Sequence, residues 1–178
     1  MREYLTEALV LDKNEVNETD LVVDLYTKEL GRIKAKVTSG QKITSKLSPH
    51  LEPLTFSLVR LTEKNGFVVV DALTQDYLKH FRVSPVYFAK ALKLLSALKG
   101  LIYSEEIDPK LWFWLKKTLV KRDFFYNHFL KILGYDPKLA ECHKCRSLFI
   151  KYFLIEDQIF LCRNCGFKVH GNALLLEL

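Results

Sequence analysis

The chain is short of the signals that announce a function directly. No stretch approaches the ~20 apolar residues that a membrane span needs, and the opening Met1-Arg2-Glu3-Tyr4 lacks the charged-then-apolar profile of a secretory signal. There is no glycine-rich phosphate loop, no G-x-S-x-G elbow and no H-E-x-x-H. Asp20 and Asp24 share a strand face without forming a recognisable acid–base pair. No region reads as disordered, and with 49% apolar and 12% aromatic residues a packed core is available. These absences predict a non-enzymatic, cytoplasmic protein in a reducing setting, with no membrane partner.

Cysteine is scarce too, and its placement is informative. All four cysteines fall in two C-x2-C pairs, Cys142/Cys145 and Cys162/Cys165, with sixteen residues between the pairs. A tight turn within each pair aims two sulfurs at one point, and a hairpin between the pairs brings the points together. That hairpin is legible as Phe149 to Ile155, a polar turn at Glu156-Asp157-Gln158, then Ile159 to Leu161. The spacing predicts one structural Zn²⁺ per chain in a closed four-thiolate shell, which leaves no position for a catalytic water. Disulfides require an oxidising compartment, and a redox C-x-x-C occurs singly beside a βαβ pattern that is absent here. A zinc hydrolase would require one thiolate to be missing from the shell. His143 sits inside the first knuckle as a possible substitute ligand; His128 reads as an ordinary helix histidine and His170 as a surface one.

Charge is distributed unevenly along a chain of net +6. Residues 1–30 carry three basic and eight acidic side chains; residues 31–60 carry six basic ones and only Glu52. A switch that abrupt predicts a positive surface facing a polyanion, with a solvated basic face as the alternative. The first third reads as five short strands, two of them at Glu7–Leu11 and Asp20–Thr27, with a polar loop from Asp12 to Asn17. In Arg32-Ile33-Lys34-Ala35-Lys36-Val37 the period of two is strict, placing three cations on one face. An edge strand protected by lysine has the same pattern. The acid-free loop Thr38–Lys46, with Gly40, hydroxyls, Lys42 and Lys46, suits phosphate oxygens. Arg32, Lys34, Lys36, Lys42 and Lys46 are therefore the candidate DNA-backbone contacts. The strand pattern fits a small five-stranded barrel of OB type, with an SH3-like barrel as the rival.

The middle third has helical period. Ser84-Pro85 and Asp108-Pro109 are start signals. They open helices over Val86–Leu98, ended by Gly100, and Lys110 to about Lys121, with a third at Phe124–Leu133. Phe88, Ala91, Leu92, Leu95 and Leu98 form the expected inner stripe of the first. The fold class is thus α+β: an OB-like barrel over 1–80, a helical domain over 81–140, a zinc ribbon over 141–170 and a short tail over 171–178.

That order resembles the RecO family of bacterial recombination mediators. The resemblance is carried by Ala8-Leu9-Val10-Leu11, Glu18-Thr19-Asp20-Leu21-Val22, Leu25-Tyr26-Thr27, Gly31-Arg32-Ile33 and Leu51-Glu52-Pro53-Leu54-Thr55-Phe56. It continues in Phe129-Leu130-Lys131-Ile132-Leu133-Gly134-Tyr135-Asp136-Pro137 before Cys142. The helical part is short for the family, and Arg146 stands where glycine is common. The resemblance implies binding of single- and double-stranded DNA and annealing of complementary strands. It also implies recombinase loading with a RecR-like protein and the single-stranded-DNA-binding protein. That protein's acidic, apolar-ended tail would meet Lys116, Lys117, Lys121 and Arg122. An RNA- or ribosome-binding zinc-ribbon module is the alternative, since barrels and ribbons serve there as well.

Overall fold

The computed structural model describes residues 2–41, 45–103, 106–122, 124–169, 171 and 173–178. Five strands, β1 (Arg2–Glu15), β2 (Leu21–Thr27), β3 (Gly31–Val37), β4 (Phe56–Glu63) and β5 (Phe67–Asp76), close on one another in the order β1-β2-β3-β5-β4. Closure depends on β1, whose first half pairs with β4, from Arg2 opposite Glu63 to Leu9 opposite Phe56. Its second half pairs with β2, from Ala8 opposite Thr27 to Glu15 opposite Leu21. The register breaks between Val10 and Asp12, and that bulge bends the strand from one partner to the other.

β1 also separates two cores. Ala8 and Val10 point into the barrel with Val23, Leu25, Ala35 and Val37. Leu9 and Leu11 point outward into a second core shared with the helices. A strand buried on both faces reads as a continuous apolar run, which is why Ala8–Leu11 is legible. The polar loop expected from Asp12 is instead strand up to Glu15. Its polar side chains are paired there, Asp12 with Lys99 at 2.7 Å and Lys13 with Glu52 at 2.6 Å.

The helical layer consists of α1 (Lys79–Arg82), α2 (Pro85–Leu101), α3 (Pro109–Lys121) and α4 (Tyr126–Ile132). Asp108 caps α3 as its sequence suggests, accepting from the N–H groups of Lys110 and Leu111. Ser84 makes no side-chain cap to α2. Gly100 does not end α2 but lies inside it, where a Cβ would run into the Ile155 side chain. Leu92 is outside the buried stripe of α2, and Leu94 takes the inward place beside Ala91, Leu95 and Leu98. The second core runs on through Trp112 and Phe129 to Phe153, Ile155 and Leu176. The last of these belongs to β8 (Leu175–Glu177), which pairs with β6 (Ile150–Leu154), itself paired with β7 (Ile159–Cys162). The segment expected as a tail is therefore the third strand of the ribbon sheet. A short α5 (Arg163–Gly166) follows β7. Among the described residues, no helix is long and apolar enough to cross a membrane.

Barrel and helical layer are joined through Arg32. Its guanidinium grips Asp24 with two bonds, 3.0 and 2.7 Å, and donates to the carbonyls of Lys99 and Ile102 at 2.5 and 2.6 Å. The fork thus satisfies carbonyls at the C-terminal end of α2 while neutralising a buried carboxylate. Alongside it, Gly31 has a φ of +66°, and a Cβ there would lie within 2.8 Å of the Glu106 backbone nitrogen. Loss of one partner strands the other. Arg32→Ala is expected to destabilise the fold by about 3 kcal/mol, and Arg32→Lys to recover little of it because an ammonium cannot make the fork. Denaturant melts of the two variants and wild type check this.

Candidate metal centre and nucleic-acid interface

The metal centre is built by the hairpin. β6 and β7 set Ile150 opposite Cys162, so the knuckle after β7 lies against the one before β6. Backbone bonds tighten the first knuckle: Arg146 N–H donates to the Cys142 carbonyl at 2.8 Å and Cys142 N–H to the Ser147 carbonyl at 2.8 Å. Arg146 adopts a φ of +61°, the left-handed conformation that favours glycine. None of the four thiols is in a disulfide. All four sulfurs lie within 4.8 Å of one another, with Cys145 and Cys162 3.6 Å apart. Sulfurs held ~2.3 Å from one tetrahedral centre stand about 3.8 Å apart, so the cage has the right size for a metal ion.

Its electrostatics call for a cation as well. Burial disfavours the Cys142 thiolate, but N–H groups of Cys162, Cys145 and Lys144 outweigh it and bring the thiol down to about 6. Cys165 is pushed up to about 12, first by Cys162 beside it and then by burial. Four thiols this close resist sharing negative charge, and a bound dication reverses that balance. His143 is exposed and outside the cluster. His170 lies outside the described residues.

The candidate DNA contacts separate into distinct classes. β3 alternates as its sequence implies, Ile33, Ala35 and Val37 inward and Arg32, Lys34 and Lys36 outward. The outward face is open only along part of its length. At Arg32 and neighbouring Tyr26 it lies under the helical layer, and Arg32 is consumed by the joint described above. Arg32 therefore leaves the set of backbone contacts. Lys36 is half exposed and pairs with Asp20 at 2.8 Å. Lys36, the Ser39 N–H and the Asn17 amide hold the Asp20 carboxyl well below the usual carboxylate range, against its burial. Lys34 is exposed and has no ion pair among the described residues. Lys46 is exposed beyond the loop, and Lys42 lies outside the described residues.

The four basic residues on the helices also separate. Lys116 faces the barrel and pairs with Glu7 at 2.5 Å. Arg122 lies over the Tyr87 ring at 5.6 Å. Lys121 is exposed, and only Lys117 reaches a groove of about 460 Å³ between α3 and α4. Exposed Phe113 and Phe125 and buried Trp114 form its apolar part, with Lys110 at the rim and His128 on the wall. A second cleft, of about 620 Å³, lies beside Lys34 and is walled by Phe67 and Tyr103. Neither aromatic stands out in the sequence, because Tyr103 reaches β3 only through the turn after α2.

Comparison with known proteins agrees with this arrangement. Residues 1–75 match the family model described as Recombination protein O N terminal. The match spans the barrel almost to the end of β5. Similarity continues beyond it: the chain is 28% identical over 188 residues to the DNA repair protein RecO of Thermodesulfovibrio yellowstonii, covering 98% of this chain and 75% of that one. The chain is similar to RecO proteins. The RecO of Dehalococcoides mccartyi is 28% identical over 190 residues, covering 96% and 75%. That of a Thermoanaerobacter strain is 25% identical over 192 residues, covering 100% and 77%. RecO similarity therefore extends through the helical layer and the ribbon.

Metal analysis of the purified protein is expected to find one divalent ion per chain. A Cys142→Ser/Cys162→Ser variant should lose it and become protease-sensitive in the ribbon. Thiols paired as disulfides in metal-free native protein would contradict the cage.

Proposed function

We propose that the chain is a DNA-binding mediator of recombinational repair that holds single- and double-stranded DNA on its barrel and anneals complementary strands. Its relation to proteins named DNA repair protein RecO, over nearly its whole length, carries this reading. The open lysines of β3 supply a physical basis. Lys34 and Lys36, with Lys46 and Lys42 farther along, meet phosphate oxygens without reading bases. Two backbones repel, and a surface that neutralises both lets complementary bases meet at lower cost. The barrel is of OB type in this reading, and the domains are a barrel over 1–80, a helical domain over 81–140 and a ribbon that runs from 141 through β8. The ion is Zn²⁺, structural because four thiolates close its shell. The protein works in the cytoplasm, catalyses no reaction itself and assists recombinase loading with a RecR-like partner.

Lys36 must exchange Asp20 for phosphate, so Lys34 makes the larger contribution. With about three to four phosphates neutralised, affinity should fall with salt at a log–log slope of roughly −2 to −4. A Lys34→Ala/Lys36→Ala variant should weaken binding to all sequences alike and flatten the slope by up to about two. Unchanged affinity and slope in the folded variant would move the DNA off the barrel.

The groove between α3 and α4 favours the tail of the single-stranded-DNA-binding protein as a partner. Aromatic walls suit its apolar end, and Lys110 and Lys117 suit its acidic residues. In a tail-peptide titration, Phe113→Ala and Lys117→Ala should each weaken binding, whereas Lys116→Ala should not. Equal binding by all three would place the tail elsewhere.

A further inference from the structure

The cleft between β3 and β5 has a composition that phosphate contacts alone do not explain. β3 and β5 run parallel there and pair only briefly, Ala35 with Phe67 and Lys36 with Val68. The barrel therefore opens beside Lys34 into a space of about 620 Å³ whose walls include Phe67 and Tyr103. Tyr103 is 72% exposed and so presents a ring face to this space. It is nonetheless held in place. The neighbouring Ile102 carbonyl is fixed by Arg32, and the hydroxyl accepts from Gln158 Nε2 at 2.9 Å. Gln158 in turn accepts from the Tyr135 hydroxyl. Phe67 is steadied edge-to-face by Tyr4 at 6.0 Å. On the remaining wall Glu63 accepts from the Tyr4 hydroxyl at 2.7 Å, so phosphate is repelled from that side and favoured on the Lys34 side.

We infer that this cleft receives one unstacked base of a single strand, stacked on Tyr103 with its phosphate on Lys34. The inference rests on the DNA reading of β3 given above and adds to it a means of telling single strands from duplex. A single strand can turn a base out at little cost, and every base has a face to stack. In a duplex both faces are already occupied, so Lys34 meets its phosphates but Tyr103 gains nothing. An annealing surface of this kind holds unpaired strands more tightly than the product, and the paired product can leave.

Fluorescence anisotropy with a short oligothymidine, the same oligomer with abasic sites, and a hairpin duplex tests it, using the full chain. Tyr103→Ala should weaken oligothymidine binding by about 5- to 150-fold, the range of one base–aromatic stack, and leave duplex binding unchanged. Tyr103→Phe keeps the ring but loses the positioning bond to Gln158 and should retain most of the binding, with a loss much smaller than that of Tyr103→Ala. Wild type should bind the abasic strand as weakly as Tyr103→Ala binds the intact one. Lys34→Ala should weaken strand and duplex alike. Equal loss on strand and duplex for Tyr103→Ala, no loss on either, or a loss in Tyr103→Phe as large as in Tyr103→Ala would each overturn the stack. If Lys34→Ala weakens both ligands while Tyr103→Ala weakens neither, the DNA reading of β3 stands and the base pocket falls. If wild type binds no DNA at all, both fall together.

Discussion

The arrangement of the molecule depends on where one guanidinium is spent. Arg32 lies on the outward face of a barrel strand, a position that on an isolated barrel would meet solvent. Here it is inserted between Asp24 and the last carbonyls of α2. A planar fork with five donors can serve a carboxylate and two carbonyls at once, which an ammonium cannot. Because one of those carbonyls belongs to Ile102, the same bonds decide where residue 103 emerges. The joint between barrel and helices and the wall of the β3–β5 cleft are thus consequences of one set of hydrogen bonds.

The ribbon is held by a different constraint, and the two meet in the shared core. Cys142, Leu154, Leu161 and Cys162 make only a small apolar cluster of their own. A cluster of that size does not offset the ordering of some thirty residues without a metal or a neighbour. The chain supplies both. The thiol cage fixes the knuckle end, while the other face of β6 sends Phe153 into the core that reaches Leu9 and Phe56 of the barrel. Gly100 is small because Ile155 crosses α2 at that point. The helices are enclosed between two β-structures, and Phe81, Trp112, Trp114 and Phe129 help to fill the gap.

Much of this was legible in the sequence where one local rule decided the outcome. The doubled C-x2-C spacing located the cage, strict alternation set the two faces of β3, and Asp108-Pro109 located the start of α3. Legibility failed where a distant residue decided. Asp12 to Glu15 read as loop because Lys99 and Glu52, the partners that make those polar residues compatible with a strand, are far along the chain. Gly100 read as a helix end because its packing partner is more than fifty residues away. Leu92 read as inward and is exposed, while Leu94 is buried, because a helix buried on more than one side has no single stripe to read. Tyr103 carried no signal at all, since nothing local distinguishes a wall of a cleft from an exposed turn.

The charge pattern shows the same division most clearly. An acidic first segment followed by a basic second one suggests a single positive surface, yet much of that charge is cancelled within the fold. Asp20 and Asp24 on the β2 side answer Lys36 and Arg32 on β3, and Asp12 answers Lys99. Asp24 stands directly across the ladder from Lys34. It bonds to Arg32 instead, because the fork offers two aligned donors on the covered side whereas Lys34 can remain hydrated on the open one. Pairing therefore follows burial rather than register: Arg32 at the covered end of β3 is used for folding, while at the open end Lys36 pairs with Asp20 and Lys34 has no ion pair among the described residues. Lys34 is the first residue past that boundary, which is why the accessible charge and the exposed aromatic ring come together at one cleft.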